Sequence, residues 1–357
     1  MPKPVKLAIF GAGRWGNHLV RNVLAHPEAE LVAIADPQTT MLHSLADRYD
    51  LTGIRLSPDP ASALQYPDLE AVIVATPAVT HFDLIRAALE RGCHVLAEKP
   101  LTLEPEASVA LCQLAEAQQR QLVLDHTYLF NGAVRQGQAT VETGVLGELR
   151  YGYAARTHLG PVRQDVDALW DLAIHDLAIF YSWLGEMPVR VRAEGRTWLQ
   201  PRPENPLGSP AGLADWVQAT LEYASGLVVT LHLSWLNPDK QRRLVLVGSQ
   251  GSLIFDELRT DAPLVLQRGR LEPRGAQFVP AQQSTEAIAV SPSEPLYQVC
   301  DHFLHCARHN VPSAVSSGWL GAQLVAVLRS LSDSLHREGQ TVSVPAILPE
   351  GLRRGRE

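Results

Sequence analysis

The run Val5-Lys-Leu-Ala-Ile-Phe10 passes directly into Gly11-Ala-Gly13-Arg14-Trp15-Gly16 and then into a helical pattern. No other stretch restricts the possible folds as strongly. A short apolar run closed by glycine reads as a buried strand, and the three glycines answer three steric demands. Gly11 permits a tight turn, Gly13 lets a bound group approach the backbone, and Gly16 lets helix and strand pack closely. The helix start offers N–H groups without helical partners to an anion. A second apolar strand, Glu30 to Ala35, ends at Asp36, 20 residues beyond Gly16. A carboxylate there accepts hydrogen bonds from an adenosine ribose and repels a 2′-phosphate. A glycine triplet alone is weak, but strand, turn, helix, second strand and acid in register predict a dinucleotide site, with NAD preferred over NADP.

The same alternation continues. Ala71 to Ala75, His94 to Ala97 and Leu122 to Leu124 read as strands; Arg14 to Ala25, Thr40 to Tyr49, His81 to Arg91 and Glu104 to Gln119 read as helices. Right-handed βαβ crossovers and a parallel sheet covered on both faces follow. After Asp125 the texture changes to long strands (Glu148 to Thr157, Val189 to Leu199, Trp216 to Tyr223, Leu227 to Trp235, Arg243 to Val247), broken by Ser225-Gly226 and Ser249-Gln250-Gly251 turns. A helix over Asp167 to Leu184 stops at Gly185, the proline-rich stretch from Gln200 to Gly212 reads as a loop, and helices over Pro295 to His309 and Trp319 to Arg337 close the chain. The expected fold class is α/β: an N-terminal Rossmann domain over 1–125, then an α+β domain with a mostly antiparallel open sheet over 126–345 that binds substrate and mediates oligomerisation. Residues 346–357 read as a flexible tail.

Composition narrows the function classes. A net charge of -7 among 357 residues, with 46% hydrophobic and 19% charged, argues against a nucleic-acid or membrane-surface binder. The only basic run is Arg353, Arg354 and Arg356. No apolar stretch approaches the ~20 residues of a membrane helix, and no signal segment is evident. Four cysteines without a CxxC pair read as free thiols in a cytoplasmic protein. His302, His305, Cys306 and His309 fall at helical spacing, but without supporting carboxylates no metal is expected.

Ala75-Thr76-Pro77, His81 opening the next helix, and Glu98-Lys99-Pro100 after the strand His94 to Ala97, taken with the glycine loop, resemble the glucose-fructose oxidoreductase, inositol dehydrogenase and rhizopine-catabolism (Gfo/Idh/MocA) family. Trp170-Asp171-Leu-Ala-Ile-His175-Asp176 is similar to that family's D-x-x-x-H-x-x-D helix, with the second acid early. Asp301-His302-Phe-Leu-His-Cys306, Pro312 and the last helix resemble its closing segment, so the likeness runs from Val5 to Val344. It implies NAD contacts at Gly11, Gly13, Arg14, Trp15, Gly16, Asp36, Thr76, Pro77, His81, Glu98, Lys99 and Trp170, and catalysis by His175 as base with Lys99 and Asp171 assisting. It also implies a homodimer or homotetramer, as does the cost of leaving one apolar sheet face uncovered.

Read on their own, these residues allow more than one task. Lys99 at a strand's carboxyl edge is either a solvated lysine or a donor to the oxygen whose carbon loses hydride. Asp171 and His175, four apart, share a helix face as a surface pair or as an oriented base. Asp125-His126-Thr-Tyr128, Arg156-Thr-His-Leu-Gly160 and Asp165-Val-Asp-Ala-Leu-Trp170 look like a branch that oxidises nucleotide-linked sugars. His126 and Tyr128 would bond sugar hydroxyls, and Arg156 and Arg163 either hold a diphosphate or are loop charges. The leading expectation is hydride transfer between nicotinamide and a secondary alcohol of a sugar, polyol or nucleotide-linked sugar. The alternatives are an NAD-dependent glycosidase of the same fold, which retains its cofactor without net turnover, and a non-catalytic sugar sensor.

Overall fold

The computed structural model describes residues 3–201, 204–209 and 211–347; the basic run at 353–356 lies outside the described residues. Contacts divide the chain into two compact units. The first comprises the residues up to Thr127 together with Glu294–Val325 and Ile347; the second comprises Tyr128–Ser293 and Ala326–Ala346.

The first unit alternates strand and helix: β1 (Val5–Phe10), α1 (Arg14–Ala25), β2 (Ala29–Ala35), α2 (Thr39–Ala46), β3 (Arg55–Ser57), α3 (Pro60–Leu64), β4 (Ala71–Val74), α4 (His81–Glu90), β5 (His94–Glu98), α5 (Pro105–Ala117) and β6 (Leu122–Asp125). The strands form one parallel sheet in the order β3-β2-β1-β4-β5-β6. Every residue of β4, β5 and β6 is buried, which is why these strands carry no polar alternation. Strand order reverses between β1 and β4, so the glycine loop after β1 opens at the switch point where such sheets bind ligands.

The second unit contains α6 (Gly132–Glu142), β7 (Leu149–Leu159), α7 (Ile174–Leu184), β8 (Pro188–Arg196), β9 (Trp216–Tyr223), β10 (Val228–Ser234), β11 (Leu236–Gly248), β12 (Gly251–Asp256), β13 (Leu264–Arg274) and β14 (Gln277–Ala287). The chain continues through α8 (Pro295–His309), α9 (Gly318–His336) and β15 (Val342–Ser343). The sheet runs β14-β13-β12-β11-β7-β10-β9-β8-β15, and only the β10–β7 pair is parallel. Alternate residues of β9 are buried. On that side a side chain at Gly152 would meet Phe180 of α7, and one at Gly195 would meet Leu335 of α9. On the other side Val245, Ile254, Ala262 and Val265 are buried, with the partly buried Tyr153 and Val247 packed against them.

Three departures from the sequence reading have physical causes. The segment 294–325 belongs to the first unit, not to the second domain: α8 buries Leu296, Val299, Cys300, Phe303 and Leu304 and packs on α1, β1 and β6. The helix expected from Asp167 opens as a π-helical turn, Leu169–Ala173, before α7 begins. β12 to β14, to which the sequence reading gave no element, are strands, the last two forming a long and largely exposed hairpin. No helix among the described residues is long and apolar enough to cross a membrane, and all four cysteines are buried free thiols.

Candidate active site

In the first unit the glycine loop is sterically forced. Gly11 stands at φ +99°, and a Cβ on Gly16 would lie 2.0 Å from the Gly11 carbonyl oxygen. A Cβ on Gly13 would meet nothing within 4 Å, so space is open beside the start of α1. No side chain caps α1, leaving its first N–H groups to an anion. Asp36 accepts from the Ala12 N–H (2.7 Å) and the Gln38 N–H (2.8 Å), which fixes its carboxylate beside the loop. Arg14 and Trp15 are exposed. These features fit the adenosine and pyrophosphate of a dinucleotide.

At the carboxyl edge of β4 and β5, Thr76 and Pro77 open the loop before α4, and a cis Lys99–Pro100 bond ends β5. His81 is fully buried, its ring nitrogens 2.8 Å from the carbonyl oxygens of Thr76 and Pro100, so it joins the two loops. Glu98 pairs with Asp125 across β5 and β6, and their carboxyls hydrogen-bond to each other. Burial, then the Asp125 charge, push the Glu98 carboxyl well up; Asp125 is raised less, by burial, because Thr127 and Glu98 donate to it. Two buried carboxyls that hydrogen-bond to each other must share a proton, since a carboxylate only accepts. Lys99, partly exposed, lowers both carboxyls.

The second unit carries the π turn and α7. Asp171 accepts from Arg163 Nη1 (3.2 Å) and Trp235 Nε1 (3.3 Å), and Arg163 also grips Asp165 through Nε (2.9 Å) and Nη2 (2.5 Å). His175 is partly exposed, its ring 5.0 Å from that of Tyr128. Behind them Arg156 donates to Asp176 through Nε (2.9 Å) and Nη2 (2.6 Å) and to the Tyr128 hydroxyl through Nη1 (2.8 Å). Burial pushes the Asp176 carboxyl up while Arg156 opposes it; for the guanidinium, burial is outweighed by Asp176 and Tyr128. The two shifts pull the pair's protonation in different directions. A guanidinium does not deprotonate in proteins, and the bonding is two-pronged, so the pair is ionic.

A sequence model described as "Oxidoreductase family, NAD-binding Rossmann fold" matches residues 5–126, and one for the GFO/IDH/MocA C-terminal domain matches residues 134–254. The UDP-N-acetylglucosamine 3-dehydrogenase of Acidithiobacillus ferrooxidans is 30% identical over 69% of this chain and 72% of its own length. The chain belongs to the Gfo/Idh/MocA family. It is also similar to the scyllo-inositol 2-dehydrogenase (NAD(+)) of Bacillus subtilis (strain 168), at 27% identity over 87% of this chain and 88% of that one. The fold is that of a levoglucosan dehydrogenase solved with NADH and L-sorbose, with a TM-score of 0.78 at 21% identity over 97% of this chain and 100% of that one. As a Gfo/Idh/MocA member the protein is an NAD-dependent dehydrogenase acting on CH–OH groups.

Several residues expected at the site of this Gfo/Idh/MocA protein have other tasks. Trp170, expected against the cofactor, is fully buried and donates to Ser332 Oγ (2.8 Å), with no face left for another ring. His81 acts through the loops it joins rather than by presenting itself to the nucleotide. His126, expected on a sugar, is 1% exposed; burial holds its imidazole down at about 3, neutral, with neither nitrogen bonded. Arg156, expected on a diphosphate, is enclosed by Asp176 and Tyr128. Arg163 is about one-third exposed but held by two carboxylates. Trp235, Arg242 and Glu257 were not singled out from the sequence, and Asp125 and Asp176 were named only within motifs, without a task. For Asp176 a signal existed, since an acid directly after His175 on a buried helix face needs a cation.

Proposed function

We propose that the protein oxidises a secondary hydroxyl of a sugar or polyol, with His175 taking the hydroxyl proton and Lys99 donating a hydrogen bond to the oxygen. Bound NAD supplies the hydride acceptor. The carrying observation is Asp171, held by Arg163 and Trp235 one helical step before a partly exposed His175. A fixed carboxylate there favours the imidazolium that forms as the proton arrives. Lys99 stands at the carboxyl edge of β5, the position of ligand contacts in such sheets. The inositol dehydrogenase relative supports a polyol, since that likeness spans most of both chains. The UDP-N-acetylglucosamine relative favours a nucleotide-linked sugar as the second reading, without Arg156 as a diphosphate contact. The partly exposed Tyr153 and Val247 on one face of the second unit's sheet support a homo-oligomer closed over it.

The test is NADH production from NAD with inositols, free glucosides and UDP-N-acetylglucosamine, alongside binding of UDP alone. His175→Ala and Lys99→Ala should each lower turnover about 10²- to 10⁴-fold while NAD affinity falls much less. Tight UDP binding selects the second reading. Sugar cleavage without net NADH marks a glycosidase, ligand binding without any turnover marks a sensor, and a fully active His175→Ala protein removes His175 as the base.

A further inference from the structure

We propose that Tyr128 is the positioning residue of His175, an inference that rests on His175 being the base. The ring of Tyr128 stands 5.0 Å from the imidazole at 58°, while the Arg156 guanidinium lies 4.7 Å from the same ring. Its hydroxyl donates to Glu257 Oε2 (2.6 Å) and accepts from Arg156 Nη1 (2.8 Å). The sense of both bonds is fixed, because a carboxylate only accepts and a guanidinium only donates. Arg242 Nη1 reaches Glu257 Oε2 at 3.0 Å and steadies the far end. Arg156 is bonded to Asp176, the residue after His175. The contacts therefore form a closed circuit, from the helix backbone at His175 through Asp176, Arg156 and the Tyr128 hydroxyl back to the His175 ring.

Two arginines and two carboxylates make the circuit neutral, so it restrains the imidazole without adding net charge beside it. Burial, against the pull of Arg156, raises the Tyr128 phenol above its ordinary value. It stays protonated and does not compete with His175 for the substrate proton. With both hydroxyl bonds made and Arg156 only 2% exposed, the ring is a fixed wall against which the imidazole keeps one nitrogen aimed at substrate. Supporting groups of this kind govern how often a reacting pair sits in productive geometry.

The experiment measures kcat, KM and NAD affinity for Tyr128→Phe and Tyr128→Leu, each in the wild-type and the His175→Ala background. Tyr128→Leu should lower kcat about 10- to 100-fold with KM changed less than about threefold. Tyr128→Phe, which keeps the wall and loses its anchor, should retain most of the activity. In the His175→Ala background neither change should lower the residual turnover further, since groups acting as one unit are not additive. An equal loss in both backgrounds, or a rise in KM without a fall in kcat, would overturn the proposal and make Tyr128 a structural or substrate contact. If Tyr128→Leu does not fold, as judged by Tm and NAD binding, Tyr128→Met takes its place and is judged on the same criteria. Full activity of His175→Ala is a separate result that removes the base, and this proposal with it.

Discussion

Asp36 does two things with one carboxylate. Its place after β2 lets a carboxylate accept from an adenosine ribose, and it holds the Ala12 N–H at 2.7 Å and so shapes the glycine loop. Asp36→Ser combined with Pro37→Arg should therefore narrow or reverse the preference for NAD over NADP, while also weakening binding of both because Ala12 loses its acceptor. Titrations with NADH and NADPH check this; an unchanged preference would remove Asp36 as the discriminating residue. At this scale the sequence is most legible where backbone sterics dictate identity, as at Gly11, Gly13 and Gly16. It misleads where a side chain's partner lies far along the chain. Arg156 looks like an anion ligand until Asp176, 20 residues on, is seen to be wholly buried beside it.

Among elements, α1 shows how little tolerance the nucleotide edge has. A methyl group on Gly16 would overlap the carbonyl of Gly11, a backbone atom that cannot swing aside. Gly16→Ala should lower NAD affinity about tenfold or more and lower Tm by several degrees, the usual range for overpacking. Calorimetry and a binding titration measure both; unchanged values would show that α1 shifts freely. Strands β1, β2, β4, β5 and β6 and helices α1, α2, α4 and α5 were legible because their periods differ and their ends carry turn residues, whereas the short β3 and α3 were not singled out. The second unit was read less completely. Arg242 and Glu257 are equidistant from the Ser249–Gln250 turn, and the Glu257 N–H donates to the Arg242 carbonyl. That turn was recognised, but no strand was expected after it to pair across. The π turn was also hidden, since its side chains fit an α pattern.

For the whole molecule, buried titratable groups pull stability in opposite directions with pH. Burial pushes His94 down to about 4 and His126 to about 3. The unfolded chain takes up protons below about pH 6.5 that these rings refuse, so acid destabilises the fold through them. Burial pushes Asp167 up to about 7. Its neutral form fits the fold, so its contribution is lost as pH rises from about 4 to about 7. Asp167→Asn keeps the acceptor for the Trp170 N–H and removes the titration. Its Tm relative to the parent should rise between pH 5 and pH 9, and a constant difference would show that Asp167 ionises without cost. The exposed hairpin has a consequence for how copies of the molecule keep apart. β14 is an outer strand of its sheet, a ready template for another chain to extend. Pro280 supplies no N–H there, Gln282 turns to φ +53°, and the pairing register slips at Arg268/Arg270, so the ladder offered to a stranger is broken in several places. An intruding strand would find no continuous run of donors and acceptors along this rim, even beside the exposed Phe278.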